Sequence, residues 1–221
     1  MARMDKNVFL GVMDAVLEQM VARLGEASAE AAPAGEIGVR ELLVTALKKE
    51  LEASEEAAVW MASESDVEVK LALARQCGDE AKHYRLIEER LTEMGVDVSK
   101  IAPLAEGYSP MFKFLKGLET TVERVAAGQY AREALAKVYN EVFIAFCESK
   151  GDSKTAALYR DVIQPDEGHH HLLGRKLLTR LAVTAEAQEK ARKAVERTLE
   201  IAEEIQEMVK LKKGISCAPG C

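Results

Sequence analysis

Aromatic residues make up only 5% of the 221-residue chain, with a single tryptophan, and there are five prolines and four cysteines. Strand signals are missing along the whole length. Basic residues are also short: 30 Lys and Arg stand against 37 Asp and Glu, a net charge of −7. With no basic excess to neutralise phosphates, this balance argues against a general nucleic-acid or acidic-membrane binder. Cys77 and Cys147 sit in helical patterns and Cys217 and Cys221 in the tail, which is no secreted disulfide framework. No apolar run is long enough to span a bilayer. The N-terminal stretch MARMDKNVFLGVMDAVLEQM is broken by Asp5, Asp14 and Glu18 and lacks a cleavage site, so no targeting segment is expected. These absences lead us to expect a soluble, cytoplasmic protein.

What remains is Ala, Leu, Glu, Lys and Val, a helix-forming composition. The expected fold is all-α, one domain over 1–221. Residues 5–24 form an amphipathic pattern with Val8, Val12, Ala15, Val16, Gln19 and Met20 on one side. GEASAEAAPAG, containing Pro33 and Gly35, is a linker. Long helices are expected at about 37–62 and from the turn at 63–66 to Met94, where Gly95 supplies the cap. A connection punctuated by Pro103, Gly107 and Pro110 leads to a third helix at about 111–149, and after the KGDS turn a fourth runs to Leu181. Thr184 caps a charged fifth helix reaching 212, and the tail 213–221 is expected to be irregular and mobile. The core is thus two helical hairpins over 37–182, flanked by outer helices at 5–24 and 184–212 that pack on the bundle or build a dimer.

The chain has four histidines, and two occupy the same place in a repeated phrase. CGDEAKHY holds Asp79, Glu80 and His83; QPDEGHHH holds Asp166, Glu167 and His170. Residues three apart share a helix face, so each Glu-x-x-His can address one object. Both pairs lie on apolar stripes, the first with Leu73, Cys77, Tyr84, Ile87 and Leu91, the second with Ile163, Leu173 and Leu177. In the helix before the first pair, Glu50 interrupts the seam Leu43, Leu47, Ser54, Ala57, Met61, while Glu52 and Glu55 fall on a mostly polar face. Counted from the 63–66 turn at ~1.5 Å per residue, Glu50 and Glu80 stand at nearly equal heights. In the third helix the seam Val122, Ala126, Gln129, Ala136, Asn140, Ile144, Cys147 favours Glu133 as the inward carboxylate and leaves Glu141 as the alternative.

Unpartnered buried carboxylates cost several kcal/mol each, and no Lys or Arg occupies a matching seam position. Two divalent cations would balance four carboxylates, with two neutral imidazoles completing the donor set. Such ligands suit iron or manganese better than a soft metal, and this is the recipe of a dinuclear carboxylate site in a four-helix bundle.

On these residues the chain, over about 37–182, resembles the ferritin-like superfamily in its di-iron carboxylate, rubrerythrin- and oxygenase-like branch. Glu50, Glu80 with His83, Glu133, and Glu167 with His170 match the family's order of metal ligands, and the connection at 95–110 matches its crossover. Asp79 and Asp166 resemble the aspartates that, in oxygen-activating members, hold a ligand histidine by its second nitrogen. The resemblance implies two iron ions, manganese being the other candidate, and reaction with O2 or H2O2 on an unspecified substrate, with an external electron donor and a homodimer as expected partners. Oxygenase, oxidase and peroxidase chemistry are all compatible with it. Iron storage and tRNA hydroxylation are the alternatives. The paired CxxC motifs of a rubredoxin module are not present.

Other residues have plainer readings. His169 and His171 are expected at the surface or behind the ligands, with His171 a substitute for His170 if Pro165 and Gly168 distort the helix. Cys77, Tyr84 and Tyr139 are read as packing, and Cys217 and Cys221 as free thiols. Lys190, Arg192, Lys193 and Arg197 alternate with glutamates as a solvated face.

Overall fold

The computed structural model describes residues 3–31, 37–213 and 219–220. They are all-helical, with no strand among them. α1 spans Lys6–Ala31, α2 Val39–Ser63, α3 Val67–Glu93 and α4 Pro110–Lys116. α5 covers 121–149 and contains a π-helical stretch at Val125–Arg132; α6 covers 153–181 with a second such stretch at Tyr159–Ile163; α7 spans Ala185–Lys213. No helix among the described residues is long and apolar enough to cross a membrane.

Local chemistry sets the boundaries. The Asp66 carboxylate accepts the backbone N–H groups of Glu68 and Val69 to start α3, and Asp152 accepts that of Thr155 to start α6. Thr184 Oγ1 does the same for Ala187 at the head of α7. Gly95 and Gly151 close their turns at φ 81° and 76°, where a side chain would be strained. One boundary departs from the sequence expectation. The third helix does not run unbroken from 111: α4 ends at Gly117, and a reciprocal Thr120–Glu123 capping box starts α5 afresh.

α1 also differs. It continues through Ala31, so the first part of the expected linker is helix, while Pro33 and Gly35 lie outside the described residues. Its buried stripe is Phe9, Leu10, Met13, Leu17 and Leu24, whereas Val8 and Val12 are exposed. The larger apolar side chains at spacings of three and four take the core side and turn the valines outward. α1 packs on α5 and α6 beside α7, tied by Gln206 Nε2 donating to the Leu24 carbonyl and by Arg175 donating to Asp14.

α2–α3 and α5–α6 are the two hairpins. Their packing leaves two apolar clusters. One, toward the α1 and α7 side, contains Trp60, Leu73, Tyr130 and Leu177. The other contains Leu43, Leu47, Ile87, Leu91, Phe143, Tyr159 and Ile163. In α2, α3 and α6 the carboxylates at issue fall between the two sets; in α5, Glu133 follows Ala131 and precedes Leu135 of the first. The crossover at 95–109 lies along α2 and buries a residue expected in solvent: Glu52 accepts from the Ser109 N–H and hydroxyl, and Glu55 from the Tyr108 hydroxyl.

Candidate metal centre

Glu50, Glu80, His83, Glu133, Glu167 and His170 converge, and all six are at most 1% exposed. They form two groups, Glu50–Glu80–His83–Glu167 and Glu80–Glu133–Glu167–His170, each with its donor atoms within 4.8 Å of one another. Glu80 and Glu167 belong to both. His83 Nδ1 faces Glu80 Oε2 at 3.2 Å, Glu50 Oε2 at 3.4 Å and Glu167 Oε1 at 3.9 Å. His170 Nδ1 faces Glu80 Oε1 at 3.5 Å, Glu167 Oε2 at 3.5 Å and Glu133 Oε2 at 3.7 Å. Each shared carboxylate thus turns one oxygen to each imidazole.

The aspartates explain why the phrase is written twice. His83 Nε2 donates to Asp166 Oδ2 at 3.2 Å, and His170 Nε2 donates to Asp79 Oδ2 at 3.0 Å. Each motif supplies the brace for the other motif's histidine. A carboxylate accepts only, so the outer nitrogen carries a proton and the Nδ1 position is turned inward. Lys82 donates to Asp166 and Arg75 to Asp79, which fixes the braces in turn.

Without a cation the carboxylates favour charged imidazoles. Burial opposes a charged imidazole, but Glu50 and Glu80 outweigh it and lift His83 to about 12; Glu133 and Glu167 likewise lift His170 to about 11. Burial raises Glu50 to about 7 despite His83, and burial with the neighbouring Glu80 and Glu133 pushes Glu167 well above the carboxylate range. Glu133 goes the other way: Arg132 and His170 overcome its burial and hold it below that range.

No family model, curated protein or solved structure matches the chain.

The fit to a cation rests on the donors themselves. Neither oxygen of Glu50, nor His170 Nδ1, has a hydrogen bond among the described residues, although all are buried. Buried polar atoms left this way are costly unless something else binds them. Carboxylate and imidazole donors from four helices could hold a metal ion.

Glu141, the alternative to Glu133, is exposed on α5 and takes a hydrogen bond from Gln164 Nε2. His171 does not replace His170: its Nδ1 donates to the Tyr130 carbonyl at 2.8 Å and its ring stacks on Tyr130. Pro165 follows the π turns at Tyr159–Ile163, and the helix runs on through it to Leu181, so the second motif keeps the geometry of the first. His169 lines an open groove of about 650 Å³ with Arg75, Lys176 and Arg180. Cys77 and Tyr84 are half-buried and Tyr139 is buried. Cys217 and Cys221 lie outside the described residues.

Sequence reasoning missed a buried cation. Arg132, beside the α5 seam, donates to Glu56 Oε2 at 2.6 Å and to Glu133 Oε1 at 3.0 Å, so a cation reaches the carboxylates although no seam position holds one. All eight residues of Val125–Arg132 are buried, because the wider π turns present a broader inward face than a regular seam predicts. Glu56, itself buried, was the available signal: an acidic residue four positions before Trp60 on the inward side of α2 needs a partner.

Proposed function

We propose that this chain is a ferritin-like, non-haem di-iron oxidoreductase that reacts with O2 or hydrogen peroxide, manganese being the alternative metal. The supporting observation is the paired donor set, in which two carboxylates each offer one oxygen to either histidine. Glu50, Glu80, His83 and Glu167 would hold one ion, and Glu80, Glu133, Glu167 and His170 the other. Bound iron would supply the electrons for reducing the oxidant.

The chain's own residues orient and insulate. Asp166 and Asp79 keep the two Nδ1 positions inward. Gln76 and Arg132 hold Glu133 Oε1 and leave Oε2 toward the centre. Glu50 has no such brace among the described residues and would be the carboxylate freest to move relative to a bound ion. Burial of all six side chains excludes bulk water.

Loading with ferrous iron under anaerobic conditions should bind about two ions per chain, as the shared carboxylates require. Adding O2 or peroxide should then produce ferric absorption. A protein that takes up no metal sinks the reading. A hollow assembly loaded with iron far beyond that ratio would point to storage instead.

A further inference from the structure

Glu50 is 0% exposed, yet its two oxygens have no hydrogen bond among the described residues. Part of what covers them is the C-terminal segment. Pro219 and Gly220 are both buried. The Gly220 N–H donates to Asn140 Oδ1 on α5 at 2.9 Å, and its carbonyl accepts from Lys49 Nζ on α2 at 3.3 Å. Lys49 also lies over the Tyr139 ring, 5.4 Å from its centroid. The described part of the tail bridges two helices across the Glu50 end of the centre.

We propose that Pro219–Gly220 is a strap closing the Glu50–His83 half of the centre, so that a molecule reaching Glu50 from solvent on this side must displace it. The backbone conformation favours glycine, and a side chain there would push the Glu50 carboxylate aside. The φ of Gly220 is +91°, a conformation that side chains rarely adopt. A Cβ there would stand 2.5 Å from Glu50 Oε1 and 3.6 Å from Lys49 Cβ. The backbone lies against the carboxylate because no side chain intervenes. The polar partners are complementary: the Gly220 amide meets an acceptor on one helix and its carbonyl a cation on the other. The opposite half is closed differently, by the internal Arg132 bridge between Glu56 and Glu133. Among the described residues, the Glu50 half is covered by Pro219–Gly220, which meets the bundle through Asn140 and Lys49.

The strap's docking can be tested without metal; its role as a gate rests on the proposed metal centre. Metal-free protein is treated with a water-soluble carbodiimide and an amine, and labelled carboxylates are mapped by mass spectrometry. Three forms are compared: the full chain, a chain ending at Lys213, and full-length Gly220→Val, which changes only the tail. Labelling at Glu50 should rise about tenfold or more in both altered forms, as expected when a local covering is removed. Glu64, a buried carboxylate near the α2–α3 turn, should stay unlabelled and report an intact fold. Unchanged labelling at Glu50 in both forms would overturn the strap. If the protein binds no iron but Glu50 labelling still rises, the metal reading fails and the strap stands. If iron binds and labelling does not change, the strap alone fails.

Discussion

Protonation of His83, His170 and Glu50 bears on the stability of the metal-free protein. His83 and His170, raised from 6.5 to about 12 and 11, bind more protons folded than unfolded. Glu50, raised from 4.5 to about 7, has the same sign. Stability from the imidazoles is therefore complete below about pH 6.5 and lost as pH rises toward their folded values. The metal-free protein should unfold at a higher temperature near pH 6 than near pH 9, as calorimetry would show. Metal must displace those protons, so affinity should rise with pH over the same range, and titrations in buffers of different ionisation heat should register proton release. The crossed braces give a sharper expectation. Asp79→Asn should weaken metal binding about 10- to 100-fold and disturb the His170 ring rather than that of neighbouring His83, read from imidazole NMR signals. Arg132→Met leaves Glu56 without its buried cation and Glu133 with His170 as its cationic partner, and should cost about 3–5 kcal/mol in urea unfolding of the metal-free protein. The doubled phrase and Glu50 were legible in the sequence because charges interrupting an apolar seam stand out. Arg132 was not, since it lies one residue off that seam.

Elements were legible wherever a regular period and a local cap agreed. Asp66, Gly95, Gly151 and Thr184 mark real ends of helices. The π stretches were not legible, because a turn that closes five residues back leaves no compositional mark. They matter for packing. α6 meets the π stretch of α5 so closely at Gly174 that a Cβ there would stand 2.6 Å from the Gln129 carbonyl carbon. The obstacle is backbone and cannot swing aside. Gly174→Ala should destabilise the protein by about 1–3 kcal/mol. Gly78→Ala, an exposed position on α3 with nothing within 4 Å of the new Cβ, should stabilise it by roughly 0.5–1 kcal/mol. Thermal unfolding of the two variants against the parent separates close approach from ordinary helix propensity.

Across the whole molecule, a polar layer lies between two apolar clusters, and bringing the hairpins together completes all three at once. A cation bound only by that arrangement should raise the unfolding midpoint in proportion to the logarithm of its concentration, and a chelator should reverse the shift. The burial of Trp60 makes its fluorescence a convenient probe of unfolding. The hairpins and their order could be read from the chain. The docking of Gly220 could not, because a short Pro-Gly tail has no period, and its partners, Lys49 and Asn140, are far away in sequence. The exchange of aspartates has one more consequence, which concerns symmetry. Asp79 reaches His170 while Asp166 reaches His83, the self-complementary relation that a two-fold axis imposes on identical subunits. For the Asp-Glu-x-x-His phrase, the second hairpin supplies nothing that a rotated copy of the first would lack. Asp79, His83, Asp166 and His170 thus carry within one chain the reciprocity of a two-fold pair.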